Sequence, residues 1–227
     1  MKKFITLSCT LVCFYLHSHA QHEEVLRISG KDYPAFIAKE RYKYPEFLRS
    51  QIYLKNGDTA FVRININYFD EQIKYVGTNG DTMNLGKKDI KYITTDTDTT
   101  FVQNKSLYEW VSSSSIARIV MKHTMTYKTS ETQSGVYGTS SSNFKVEGHT
   151  GLLGGITLEP TDILIFSSET TYYIEFFKEP GFVVANKKNL AELFPKSDVE
   201  EYITENKLDL NNLDDLLKAF THAHKRK

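Results

Sequence analysis

Cysteine is almost missing from this chain: its 227 residues include only Cys9 and Cys13, both within the first twenty. A protein that loses that stretch keeps no disulfide, no thiol nucleophile and no thiolate metal ligand. Its stability then rests on a packed core, and a chain of about 200 residues can bury roughly 70% of its unfolded surface. Charge of one sign is lacking too. Lys and Arg number 28 against 28 Asp and Glu, so the cationic surplus that phosphate binding needs is absent, which argues against a nucleic-acid partner. Tryptophan occurs once, at Trp110, leaving little of the stacking surface that sugar-cleaving clefts employ. No stretch after residue 20 approaches 18 uninterrupted apolar residues, so no later transmembrane helix is expected. The 40% apolar and 25% charged content that remains is that of a globular protein rather than a disordered one.

The first twenty residues read as an address. Met1-Lys2-Lys3 is a basic start, Phe4 to Leu16 is an apolar stretch broken only by small polar residues, and Ser18 and Ala20 stand where a signal peptidase reads. The run is too short to span a bilayer, which takes about 20 residues. Thr10-Leu11-Val12 before Cys13 lacks the small residue that lipid modification wants. The sequence therefore predicts a signal peptide over residues 1–20, cleaved before Gln21. The mature chain holds 26 basic and 28 acidic side chains and five histidines.

Residues 21–185 read as a β-rich domain. Tyr33-Pro34-Ala35-Phe36 and Tyr44-Pro45-Glu46-Phe47 form an aromatic echo whose prolines block ladder donors, so extended or edge segments are expected there. From Gln51 the pattern alternates. Ala60, Val62, Ile64, Ile66 and Tyr68 alternate with Phe61, Arg63, Asn65 and Asn67, as a strand with one buried face demands. Asn56-Gly57 and Asn79-Gly80 read as two-residue hairpin turns with positive φ. Further strands over Ile73–Val76, Ile90–Thr95 and Thr100–Gln103 give a β-meander. The longest alternation puts Ala117, Ile119, Met121, His123, Met125 and Tyr127 on one face. Residues 128–160 hold six glycines and a Ser/Thr cluster and read as a glycine-rich loop. Strand character resumes at Ile163–Phe166 and Thr171–Phe177.

The period changes to 3.6 over residues 186–227. Asn186 caps a short helix holding Leu190, Leu193 and Phe194, and Pro195 closes it. Ser197-Asp198-Val199-Glu200 reads as a capping box opening a second helix. A third carries Leu210, Leu213, Leu217 and Phe220 as one apolar stripe. The expected fold class is α+β: a mainly antiparallel, meander or sandwich-like sheet followed by a small helical segment packed on it as one folding unit.

Ile52-Tyr-Leu-Lys-Asn-Gly-Asp-Thr59, Lys87-Lys-Asp-Ile-Lys-Tyr-Ile93, Lys187-Lys-Asn-Leu-Ala-Glu-Leu-Phe-Pro195 and Tyr202-Ile-Thr-Glu-Asn-Lys207 together resemble a group of secreted Bacteroidetes proteins with no assigned function. The resemblance implies an envelope or extracellular location, periplasmic or outer-surface, and carries over no catalytic residue. In that setting Asp58-Thr59-Ala60, Asp81-Thr82-Met83 and Asp98-Thr99-Thr100 look like O-glycosylation acceptors at Thr59, Thr82 and Thr99.

The chemistry-bearing residues are sparse. His123 lies on an apolar strand face and reads first as a hydrogen-bonded core histidine, with a general base as the sharper alternative. His149, in Gly148-His149-Thr150-Gly151, could orient as a base or sit in a loop. No Gly-x-Ser-x-Gly elbow occurs. His222-Ala-His224 is spaced i, i+2, which diverges on a helix where zinc wants i, i+4, so a frayed tail is expected. Asp96-Thr97-Asp98 lacks the glycine and glutamate of a calcium loop, and Gly151-Leu-Leu-Gly-Gly155 lacks the Lys-Ser/Thr of a phosphate loop. No metal or cofactor is expected. An outer-membrane barrel is disfavoured by the helical end and the terminal Lys225-Arg226-Lys227. The leading expectation is an exported cell-envelope protein, a non-enzymatic binding or structural module for another envelope component. The competing one is a small periplasmic hydrolase centred on His149 or His123.

Overall fold

The structure is a computed structural model that describes residues 24–134, 140–149 and 163–225. The expected signal peptide and the Gly151–Gly155 run lie outside the described residues. The fold is α+β and mainly antiparallel. Its strands are β1 (Glu24–Ser29), β2 (Leu48–Leu54), β3 (Thr59–Asn67), β4 (Gln72–Val76), β5 (Thr82–Leu85), β6 (Ile90–Thr94), β7 (Thr99–Gln103), β8 (Ser106–Ser113), β9 (Ala117–Ser134), β10 (Ser140–His149), β11 (Ile163–Phe176) and β12 (Glu179–Val184). They form one sheet in the order β1-β11-β9-β8-β7-β6-β2-β3-β4-β5, with β10 on β9 and β12 on β11. The meander is thus in two parts, β2 to β5 and β6 to β9, joined where β6 returns to pair with β2.

Turn chemistry sets the hairpins. Gly57 N–H donates to the Leu54 carbonyl at 3.1 Å and Leu54 N–H to Asp58 at 2.9 Å, while Gly80 and Gly77 repeat the pattern at 3.0 and 2.8 Å. Only the glycines take positive φ, +95° at Gly57 and +88° at Gly80. These are three-residue loops with a glycine bulge, not the two-residue turns expected from Asn-Gly. Asn56 and Asn79 instead accept the Asp58 and Asp81 N–H groups at 3.0 and 3.2 Å, which stabilises the turn without left-handed backbone at the asparagines. The two-residue turn with paired positive φ occurs between β7 and β8, at Asn104 (φ 50°) and Lys105 (φ 67°).

Two other expectations are corrected. Residues Tyr33–Glu40 form a helix, α1, rather than an extended tether. Pro34 sits in its first turn, where a missing N–H has no intrahelical partner to lose. Phe36 packs on Phe166 and Phe69, with ring centroids 4.9 and 6.1 Å apart. The stretch 128–160 is not one loop. β9 continues through Ser134, and β10 pairs back on it from Ser140↔Ser134 to His149↔Thr126. Alternating Thr and Ser suit an extended ladder, and the glycines that dominated the sequence reading lie mostly between and after these strands.

The inner sheet face carries three apolar clusters. One lies within the meander around Ile52, Ile64, Ile73 and Ile93, and a second joins Phe69, Leu164 and Phe166 under α1. The third sets Ala117, Ile119 and Ile174 of β9 and β11 against three helices: α2 (Lys187–Leu193), α3 (Val199–Glu205) and α4 (Leu213–Lys225). Asn186 caps α2 as expected, its Oδ1 accepting Asn189 N–H at 2.8 Å. The expected capping box does not form. Ser197 Oγ donates to the Phe194 carbonyl, and Asp198 is the residue before α3. On α4 the buried stripe is Leu216, Ala219, Phe220 and Ala223, while Leu217 is only half-buried. The expected stripe is off by a fraction of a turn because the two alanines, weak as sequence signals, face the sheet.

Candidate functional site

A buried cluster of charged side chains on the inner face begins with an interruption in strand pairing. Leu48 pairs with Ile64, but the next bridge back joins Tyr42 to Asn67, so residues 43–47 bulge from the ladder. Asn65 holds this bulge. Its Oδ1 accepts Tyr44 N–H at 3.1 Å, and its Nδ2 donates to the carbonyls of Tyr44 and Glu46 at 2.8 and 3.1 Å. Asn65 and Asn67 are therefore buried, although strand alternation placed them on the wet face. A polar side chain that satisfies three backbone groups can be buried at little cost.

The bulge aims Lys43 inward. Its ammonium lies 2.8 Å from the Asp98 carboxylate and 2.8 Å from that of Glu109, and its side chain is 8% exposed. The Tyr44 hydroxyl donates to Asp98 at 2.8 Å, and Thr95 Oγ1 donates to it at 3.2 Å. Tyr68 donates weakly to Glu109 at 3.5 Å. Burial, followed by the Asp98 carboxylate, pushes the Tyr44 phenol well above its ordinary value; burial, followed by Glu109, does the same to Tyr68. Both phenols stay protonated and act as donors. Both carboxylates face the same buried ammonium, and a phenol points at each of them.

His123 stands at the margin of this cluster. Its Nδ1 is 2.9 Å from Thr170 Oγ1, its opposite number across the β9–β11 ladder, and its ring meets Tyr68 edge-on with centroids 5.9 Å apart. Burial lowers its pKa from the ordinary 6.5; Glu109 opposes that shift and Lys43 adds to it. It is a half-buried, hydrogen-bonded core histidine. His149 is the last residue of β10, opposite Thr126, and its side chain lies outside the described part of the structure. Thr59 and Thr82 are exposed first residues of β3 and β5; Thr99, which opens β7, is half-buried.

A second constellation went unread in the sequence. α4 does not fray at His222: its Nε2 is 2.6 Å from Asp198 Oδ1, and its ring stacks on Tyr202 with centroids 3.8 Å apart and planes 4° apart. Tyr202, Asp214, Leu217, Lys218, Thr221 and His222 line an open groove of about 510 Å³. The spacing of Asp214, Leu217, Lys218 and Thr221 at i, i+3, i+4 and i+7 was the available signal, a second helical face beside the apolar one. His224 points elsewhere, its Nδ1 buried without a hydrogen bond among the described residues. Among those residues no group of three His, Cys, Asp or Glu could hold a metal.

No family model, no curated protein and no solved structure matches this chain.

Proposed function

We propose that the protein is an exported envelope component acting as a non-enzymatic binding or structural module, and that it belongs with the secreted Bacteroidetes proteins it resembles. The observation that carries the non-enzymatic reading is Lys43, held between Asp98 and Glu109 with its side chain 8% exposed. A reactive site must admit substrate and leave a base or nucleophile unsaturated. Here the charges neutralise one another and tie the bulge at residues 43–47 to β8 and to the turn before β7. The leader-like segment before Gln21 supports export. No described helix is long and apolar enough to cross a membrane. Exposed Thr59 and Thr82 at hairpin exits suit a modification enzyme's reach, and glycans there would shield meander ends that could otherwise pair with neighbours.

The test is cross-linking in intact cells of the native host, followed by identification of the cross-linked species, alongside a turnover panel of chromogenic esters, phosphates and glycosides. The expected outcome is a reproducible envelope partner and no turnover above background. Turnover that disappears in His123→Ala or His149→Ala would establish the hydrolase reading instead.

A further inference from the structure

The aromatic row on the outer sheet face is an obvious surface, yet several of its rings are already engaged. Tyr53 stacks on Tyr92 at 4.3 Å, and the Arg118 guanidinium covers Phe101 at 3.9 Å while pairing with Glu175. The groove between α3 and α4 is different. Its polar groups face outward with bonding capacity left over.

We infer that this groove binds a small, uncharged, polyhydroxylated ligand, a mono- or disaccharide, and the inference rests on reading the protein as a binding module. Asp198 accepts from His222 Nε2 at 2.6 Å, which engages that nitrogen and leaves Nδ1 as the ring's other polar atom. No described residue bonds to that Nδ1, to the Tyr202 or Thr221 hydroxyls, or to the Asp214 carboxylate. Lys218 adds a donor, shared with Asp215 at 2.7 Å, and Leu217 gives an apolar patch. The groove thus presents one carboxylate, one free ring nitrogen, two hydroxyls that can act either way, and one cationic donor. An anion would meet the Asp214 carboxylate in the groove wall, while Asp215 already engages the one lysine there. A cation would meet Lys218 at the same wall. A sugar hydroxyl donates and accepts at once, so it satisfies the whole set without a charge mismatch. At about 510 Å³ the groove is within the size range of small-ligand sites.

The geometry also holds the site still. Asp198, freed from capping α3, fixes the imidazole from one edge while Tyr202 packs flat against its face. A preordered ring loses little freedom when a ligand arrives, which lowers the entropic cost of binding.

Amide correlation spectra of the full mature chain, titrated with maltose and separately with N,N′-diacetylchitobiose, test this. The expected result is saturable shifts with at least one of the two, confined to residues around Tyr202, Leu217, Lys218, Thr221 and His222. Asp214→Asn and Thr221→Val should each weaken that binding about tenfold while leaving the unfolding midpoint unchanged, since both side chains are exposed. No saturable shift with either sugar, or binding that survives both substitutions, would overturn the site. Saturable shifts centred on the sheet would also overturn it while leaving the binding-module reading intact. Silence with both sugars together with no cross-linked partner in cells would remove that reading as well.

Discussion

Glu109 in β8 and Lys43 in the N-terminal bulge meet at 2.8 Å inside the sheet, an ion pair between segments far apart in the chain. Asp98 grips the same ammonium from the turn between β6 and β7. The pairing therefore fastens the irregular start of the chain to the second half of the meander. Its energetic role follows from burial more than from attraction, since a charge left alone inside costs more than the pair contributes.

Removing Lys43 should accordingly hurt. Lys43→Met strands two carboxylates and is expected to cost about 3–5 kcal/mol in urea unfolding. Lys188→Met, which removes a solvent-exposed partner of Glu192, should cost no more than about 0.5 kcal/mol. Equal effects would show that the Lys43 cluster is no more structural than a surface pair.

His123 gives the stability a pH slope. Burial holds its folded pKa below the ordinary 6.5, so the unfolded chain takes up the proton first as pH falls. The contribution of the neutral ring is complete above the unfolded value and is lost as pH drops from there to the folded one. Comparison of unfolding midpoints at pH 7.5 and 5.5 (about two units spanning the unfolded value) should show wild type losing more than His123→Gln. A slope unaltered by the substitution would contradict the burial of this ring.

Gly57 and Gly80 have no neighbour within 4 Å of an added Cβ, so any penalty there is purely conformational. Val at either position should cost about 1–2 kcal/mol and Asn much less, because Asn tolerates left-handed backbone. Denaturant midpoints check this, and a Val variant as stable as the Asn variant would rule out the glycine bulge.

How much of this was legible in the sequence depended on locality. The alternation that put Ala117, Ile119, His123 and Met125 on one face, the Asn186 cap and the sheet-then-helix order are local signals, and the structure carries all of them. The cluster of Lys43, Asp98 and Glu109 is not local. Lys43 sits in the bulge, Asp98 in the turn before β7 and Glu109 in β8, and only the return of β6 beside β2 brings them together. Alternation even misled at Asn65 and Asn67, since period 2 reports which face a side chain takes and not whether a neighbouring loop covers that face. The Asp198–His222 pair was hidden for a similar reason: the serine that reads as a cap hands that position to the next residue.

The register of α4 separates the two readings of its stripe. Leu216→Ala should cost roughly 2–5 kcal/mol, and Leu217→Ala, at the groove, less than about 1.5 kcal/mol. The reverse order would restore the stripe that periodicity alone suggested.

The exported identity is the claim on which the rest of the functional account stands, and one intact-mass measurement on protein recovered from the envelope fraction of its native host tests it. The account predicts a chain beginning at Gln21, as glutamine or pyroglutamate, with added glycan mass on at least one of Thr59, Thr82 and Thr99. A chain that retains Met1 to Ala20 and carries no added mass would contradict it.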